Sequence, residues 1–66
     1  MRVCVNGRER ELPDGTTMAD LVAMLALQPR RIAVERNRRL VPRNRFAETV
    51  LAPEDRIEIV TLVGGG

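Results

Sequence analysis

The residues of greatest chemical interest are the last four of the sequence, Val63-Gly64-Gly65-Gly66. Glycine has no Cβ atom, so a run of glycines is thin and takes almost any backbone conformation. Three such residues extend roughly 10 Å beyond a preceding strand. We therefore expect residues 64–66 to form a flexible tail, in which Gly64 and Gly65 thread into a partner's active site and Gly66 presents its α-carboxylate. The alternative interpretation is a frayed terminus or an expression scar, because chain ends are commonly disordered.

The composition excludes several kinds of active site. The 66 residues include no histidine and one cysteine, Cys4, so the usual zinc ligand sets and Ser-His or Cys-His nucleophile pairs are absent. A single cysteine also excludes a disulfide framework, which favours a reducing compartment. No apolar run is long enough to span a membrane, and the first residues do not resemble a signal peptide. We expect a cytoplasmic protein without membrane contact, bound metal or bound cofactor, in which Cys4 is a small packed side chain.

Basic residues are concentrated in the middle of the chain. All eleven are arginine, and seven fall between Arg30 and Arg45, with Glu35 as the only acid among them. Such a cluster suits phosphates or an acidic protein surface; the simpler interpretation, which we favour, is a solvated surface. Phe46 is the only aromatic residue, so single-stranded nucleic acid would find no stacking platform. We expect no nucleic-acid partner.

The first half of the chain predicts a hairpin and one helix. Residues 2–5 alternate as a strand does, and Asn6-Gly7 is the strongest short signal for a type I′ turn. Residues 8–12 return as a charged strand, which suits the edge of a sheet. Thr16 or Thr17 caps a helix from about Met18 to Leu27, with Asp20 completing a capping box. Its apolar residues recur at intervals of three and four, and Pro29 is expected to end it.

The second half predicts three strands, of which the last is the longest. In order, we expect a strand at 32–34, a turn at 36–39, a short strand at 40–41, a weakly helical segment at 43–50, a turn at 53–55 and a strand at 56–63. Phe46 and Val50, four residues apart in the weak helix, are expected to plug one end of the core. Since the last strand is the richest in β-branched residues, it should lie centrally and parallel to the first. These elements predict an α+β fold at residues 1–63, in which one helix covers one face of a mixed sheet.

Several short stretches, taken together, carry a resemblance to a known family. They are Val-Asn-Gly in the first hairpin, Thr-Met-x-Asp-Leu-Val at 17–22, Leu-Val-Pro-Arg at 40–43, Asp-Arg-Ile-Glu-Ile-Val at 55–60, and the terminal Gly65-Gly66. Over its whole length the chain resembles a ubiquitin-like β-grasp domain and, more narrowly, the family of the sulfur carrier of thiamine (thiazole) biosynthesis, ThiS. Glu54 and Arg38 depart from the pattern, since the family leads us to expect glycine at both turn positions.

The resemblance implies a function in sulfur transfer. An E1-like adenylyltransferase would consume ATP to adenylate the carboxylate of Gly66. Sulfur derived from a persulfide donor would displace AMP and leave a C-terminal thiocarboxylate, and thiazole synthase would take that sulfur to build the thiazole ring. The chain would then be a protein co-substrate rather than an enzyme, and none of its side chains would need to react.

The last strand also predicts the surface that meets those partners. If Ile57 and Ile59 face the core, Val60 and Leu62 face outward by the two-residue period of a strand. Together with Val63 they would form an exposed apolar patch beside the tail, of the kind that marks a partner site. The alternative is a second layer that covers them, but one helix covers only one face of the sheet.

Three other functions remain open at this point. The nearest is another sulfur carrier of the same fold, such as the small subunit of molybdopterin synthase, and the synthase that is bound distinguishes the two. A ubiquitin-like protein modifier would form covalent conjugates, although a chain without lysine could not build lysine-linked polymers of itself. A non-covalent binding module, for RNA through the arginines, would show steep salt dependence.

Overall fold

The computed structural model describes residues 1–63. Within that range the chain forms five strands, one α-helix and two short 3₁₀ helices. The strands are β1 (Arg2–Val5), β2 (Arg8–Glu11), β3 (Ile32–Arg36), β4 (Arg39–Val41) and β5 (Arg56–Thr61); the α-helix is α1 (Met18–Met24), and the 3₁₀ helices are Pro29–Arg31 and Arg43–Glu48. None of the helices in this range is long and apolar enough to cross a membrane.

The strands form one mixed sheet in the order β2-β1-β5-β3-β4. β1 and β5 are parallel, with Val5 opposite Ile57, whereas the β1–β2, β3–β4 and β3–β5 pairs are antiparallel. The prediction that the last strand lies centrally, beside and parallel to the first, is therefore confirmed. The crossover between those two parallel strands contains α1, which covers one face of the sheet.

Both β-hairpins close through two residues with positive φ. The φ angles are 50° at Asn6 and 82° at Gly7, and 52° at Asn37 and 70° at Arg38. This confirms the predicted turn at Asn6-Gly7, because a type I′ turn needs positive φ at both central residues. Arg38 and Glu54, where the family led us to expect glycine, adopt the left-handed region nonetheless, with φ of 70° at each. A non-glycine residue there costs about 1–2 kcal/mol.

The helix begins as predicted but ends earlier. Thr17 is the N-cap: its hydroxyl accepts from Asp20 N at 3.1 Å, and the Asp20 carboxylate accepts from Thr17 N at 3.0 Å. The predicted end at Leu27 is wrong, because α1 ends at Met24 and Ala26 has a φ of 57°.

The early end of α1 is a Schellman-type C-cap. Leu27 N donates to Val22 O at 3.1 Å and Ala26 N donates to Ala23 O at 3.0 Å. These two bonds satisfy carbonyls that the helix would otherwise leave unpaired. Pro29 therefore does not end the helix; it begins the first 3₁₀ helix, as proline is suited to do.

The core lies between α1 and the covered face of the sheet. Phe46, which was predicted to plug one end of the core, is 4% exposed and belongs to the buried cluster. The same prediction for Val50 is wrong, because this side chain is 53% exposed and Leu51 is buried instead. Residues 43–48 form a 3₁₀ helix and Thr49 is extended, so an interval of four does not bring two residues to one face. The buried apolar residues are Val3, Val5, Leu12, Met18, Leu21, Val22, Ile32, Val34, Phe46, Leu51, Ile57 and Ile59.

Candidate functional site

The candidate site is the end of β5, where the central strand leaves the sheet. β5 ends at Thr61 rather than at the predicted Val63. Its neighbour explains the difference: Thr61 pairs with Ile32, the first residue of β3, so the ladder has no further partner on that side. Leu62 N still donates to Arg31 O at 2.7 Å. Val63 is 97% exposed, and the three predicted tail residues, Gly64, Gly65 and Gly66, lie outside the described residues.

The three apolar residues predicted to form a patch, Val60, Leu62 and Val63, are all exposed. Ile57 and Ile59 are buried, while Val60 is 56% and Leu62 is 53% exposed. Val60 lies opposite Ala33 of β3, so the two share the outer face. We call Val60, Leu62 and Val63 the exit patch. Exposed apolar side chains grouped in this way mark partner sites, although their contact with a partner remains a prediction.

Asn6 fixes the strand that carries the exit patch, a role that the sequence did not reveal. Its side-chain oxygen accepts from Ile59 N at 2.8 Å, and its amide nitrogen donates to Ile59 O at 3.1 Å. Because the β1–β5 pairing ends at Val5 and Ile57, the Asn6 amide continues the ladder in place of a backbone. The Asn-Gly pair was interpreted as a turn signal alone, and nothing in the sequence connects it to a residue 53 positions later.

Asp55 holds the other end of β5 through a buried network. Asp55 is 5% exposed, and its carboxylate accepts from Arg36 Nε at 2.7 Å, from Ala52 N at 2.8 Å and from Asn37 Nδ2 at 3.0 Å. Asn37 in turn accepts from Arg56 N at 2.9 Å. The network joins the start of β5 to the β3–β4 hairpin, so the central strand is fixed at both ends. A buried carboxylate is tolerated because every one of these donors points at it.

The cysteine and the carboxylates of residues 1–63 form no metal-type cluster at this site. Cys4 is half-buried and lies on the outer face of β1, opposite Arg56 of β5. It is therefore packed at the sheet surface rather than in the core. Within the described chain, no three histidine, cysteine or carboxylate side chains group as metal ligands would. What the geometry offers is a rigid strand with exposed apolar residues that leads directly to the three glycines.

Comparison with known proteins gives consistent matches in sequence and in fold. The ThiS family model matches residues 3–66. The sulfur carrier protein ThiS of Bacillus subtilis is 38% identical over 63 residues, which are 94% of this chain and 96% of that protein. A thiazole synthase of Paramagnetospirillum magneticum is 36% identical over all 66 residues, but the chain spans only 20% of its length. The crystal structure of a thiamine biosynthesis protein (ThiS) from Geobacter metallireducens superposes with a TM-score of 0.86, at 26% identity and with full coverage of both chains.

These findings define the class first and the family second. The mixed five-stranded sheet with one main helix is the ubiquitin-like β-grasp fold, as the match to the Geobacter metallireducens structure shows. The chain belongs to the ThiS family, because the family model covers all but its first two residues.

Proposed function

We propose that the chain is a sulfur carrier of thiamine biosynthesis, with the carboxylate of Gly66 as the group that carries sulfur. The observation that supports this most strongly is the match to the sulfur carrier protein ThiS of Bacillus subtilis over nearly the full length of both chains. The central strand β5, fixed by Asn6 and Asp55, ends two residues before the glycines. A carrier of this kind needs a stably folded domain and a narrow C-terminal segment, but no reactive side chain.

The chemistry follows from the poor electrophilicity of a carboxylate. An E1-like partner would transfer AMP from ATP to the Gly66 carboxylate and release pyrophosphate, which makes a mixed anhydride with a good leaving group. The terminal sulfur of a persulfide would attack the carbonyl carbon, and AMP would leave. A thiol would then cleave the sulfur–sulfur bond of the acyl disulfide, leaving the thiocarboxylate on Gly66. Every reacting group other than this carboxylate belongs to a partner, so the chain acts as a co-substrate.

We propose thiazole synthase as the protein that receives the sulfur. Support comes from the thiazole synthase of Paramagnetospirillum magneticum, in which a stretch similar to this whole chain makes up 20% of the protein. A carrier and a synthase in one polypeptide meet at a high effective concentration. A carrier also needs a surface of its own that contacts the synthase. We propose the exit patch for this contact and for contact with the E1-like enzyme.

The docking proposal is tested by placing charge on the exit patch. The double variant Val60→Asp/Leu62→Asp should retain the fold, because both side chains are more than half exposed, but should bind thiazole synthase at least about tenfold more weakly, since an apolar contact cannot desolvate two carboxylates. Met24→Asp/Val50→Asp is the matched control, because it adds the same two charges at side chains that are 54% and 53% exposed and lie outside β5. Calorimetric titration of the two folded variants with the synthase measures both affinities. Equal affinities for Val60→Asp/Leu62→Asp and wild type would refute the docking surface.

The sulfur-carrier proposal is tested separately with a chain in which the carboxylate of Gly66 is replaced by a primary amide. Purified E1-like enzyme, ATP and a labelled persulfide donor should load sulfur onto the chain with the free carboxylate and leave the amidated chain unlabelled. Far-UV circular dichroism should show the same fold for both, because the core residues lie within residues 3–59. Equal labelling of the two chains would place the acceptor elsewhere and overturn the proposal.

A further inference from the structure

Only some of the seven arginines between Arg30 and Arg45 form ion pairs with acidic side chains. Arg36 Nε lies 2.7 Å from the Asp55 carboxylate, and Arg45 lies 3.1 Å from the exposed carboxylate of Glu48. The others make no ion pair with any residue of the described range 1–63; they are Arg30, Arg31, Arg38, Arg39 and Arg43. The cluster is therefore a surface of largely uncompensated positive charge.

Three of the seven central arginines border one open groove: Arg36 and Arg45, which make the ion pairs just given, and Arg39, which makes none within residues 1–63. It lies between β4 and the second 3₁₀ helix and has a volume of about 470 Å³. Its lining includes Arg36, Arg39 and Arg45 together with the apolar residues Leu40, Val41 and Pro42. We call this feature the β4 groove. Leu40, at 67% exposed, is the most exposed large apolar side chain within residues 1–62. The β4 groove therefore combines positively charged and apolar side chains in its lining.

The opposite edge of the sheet shows that this charge is not a general feature of the edges. Strand β2 reads Arg-Glu-Arg-Glu, with acids and bases alternating. Its two acids, Glu9 and Glu11, lie 3.9 and 3.7 Å from Arg2 of the neighbouring strand. Strand β4 reads Arg-Leu-Val and has no acid of its own; Glu35 of the neighbouring strand lies opposite Leu40 and makes no ion pair with Arg39. A balanced edge discourages stray pairing, whereas an unbalanced one attracts a partner of opposite charge.

We propose that the β4 groove docks an acidic segment of a partner protein. Carboxylates of the segment would meet the guanidinium group of Arg39 and would compete with the exposed Glu48 carboxylate for that of Arg45, since an exposed ion pair is weak. Arginine binds carboxylates in paired hydrogen bonds, and one apolar side chain would lie against Leu40. Nucleic acid fits less well: the only aromatic side chain, Phe46, is 4% exposed and offers no stacking surface. The proposal does not depend on sulfur transfer, because the β4 groove and the exit patch involve different residues.

A direct binding assay tests the proposal. The probe is a short fluorescein-labelled peptide of aspartate and glutamate with one central leucine, titrated with the full chain at about 0.15 M salt. Arg39→Glu should weaken binding at least about tenfold, because like charges then face each other. Arg8→Glu, at an exposed residue of β2, is the matched control and should bind as wild type does. Both variants lower the formal net charge from +2 by two, to 0.

A second variant separates the groove from general charge attraction. Leu40→Ser should weaken binding of the leucine peptide about threefold or more and leave binding of the same peptide with central alanine unchanged. Circular dichroism confirms the fold of each variant. The proposal is overturned if wild type does not bind the peptide, if Arg39→Glu and Arg8→Glu weaken binding equally, or if an RNA oligomer of the same length and label binds more tightly than the peptide.

Discussion

Replacing Asp55 with asparagine removes the charge of the buried network while nearly preserving its shape. Three donors converge on two carboxylate oxygens: Arg36 Nε and Ala52 N on Oδ2, and Asn37 Nδ2 on Oδ1. An amide has one oxygen, so its NH₂ group must face one of these donors. Asn37 cannot turn to accept from it, because the Asn37 oxygen already accepts from Arg56 N at 2.9 Å.

The magnitude follows from those contacts. The bond from Asn37 to the carboxylate is lost, which costs about 1–2 kcal/mol, and the bonds from Arg36 and Ala52 lose their ionised acceptor, which costs about 1 kcal/mol more. The Arg36 side chain is 28% exposed, so water limits the penalty below that of a fully buried orphan charge. We expect Asp55→Asn to lower the free energy of unfolding by about 2–3 kcal/mol, out of a total of about 3–10 kcal/mol for a chain of this size.

Urea and thermal unfolding followed by circular dichroism measure this effect. A loss of 2–3 kcal/mol corresponds to a fall in Tm of about 10–20 °C for a domain of this length. The control is Glu58→Gln, because Glu58 is an exposed carboxylate of the same strand and its replacement should change stability by less than about 0.5 kcal/mol. If Asp55→Asn and Glu58→Gln had the same small effect, the network would not be what fixes the start of β5.

Three further changes test how the chain directs its own turns and caps. Asn6→Gly keeps the positive φ but removes both bonds to Ile59, so it should cost about 1–2 kcal/mol and speed hydrogen exchange of the Ile59 amide. Ala26→Gly should raise stability by about 0.5–1 kcal/mol, since Ala26 has a φ of 57° at the helix C-cap, where glycine is unstrained. Thr17→Ala should cost about 1 kcal/mol through loss of the cap, whereas Thr17→Ser should not. Unfolding curves report the stabilities, and NMR reports the exchange.

Each of these changes has an outcome that would contradict its explanation. Unchanged exchange at Ile59 would show that Asn6 serves the turn alone. A destabilising Ala26→Gly would mean that loss of chain entropy outweighs relief of the left-handed strain. Equal losses in the alanine and serine variants of Thr17 would show that the hydroxyl does not cap α1.

Most strands, the first turn and the helix start could be predicted from the sequence, because each depends on residues that are close together in the chain. The alternation at Val3 and Val5, and again at Ile57 and Ile59, follows from the two-residue period of a strand with one covered face. The Asn6-Gly7 turn and the Thr17 cap depend on residues only one to three positions apart. Such features need no knowledge of the rest of the chain.

The predictions failed where a contact between distant residues, or an unusual backbone conformation, determines the local structure. Ala26 carries no sequence signal for positive φ, so the helix was extended too far. Val50 was placed in the core by an α-helical interval, but the segment is 3₁₀ and then extended. The bonds of Asp55 to Arg36 and Asn37 span 19 and 18 positions, which periodicity cannot detect.

The candidate site divides in the same way. Exposure of Val60 and Leu62 follows from strand alternation, and the structure confirms it. The Asn6 support for the strand was missed, because an amide that replaces a backbone strand has no local pattern. The partner enzymes were inferred from the resemblance to the ThiS family and not from any contact of residues 1–63, so they are proposals.

The most direct test of the central claim is the intact mass of the chain isolated from cells that contain its native partners. The proposal predicts a fraction that is heavier by the exchange of one oxygen for one sulfur, with fragmentation placing the change at Gly66. Only unmodified carboxylate, even after incubation with the E1-like enzyme, ATP and a persulfide donor, would contradict a sulfur carrier.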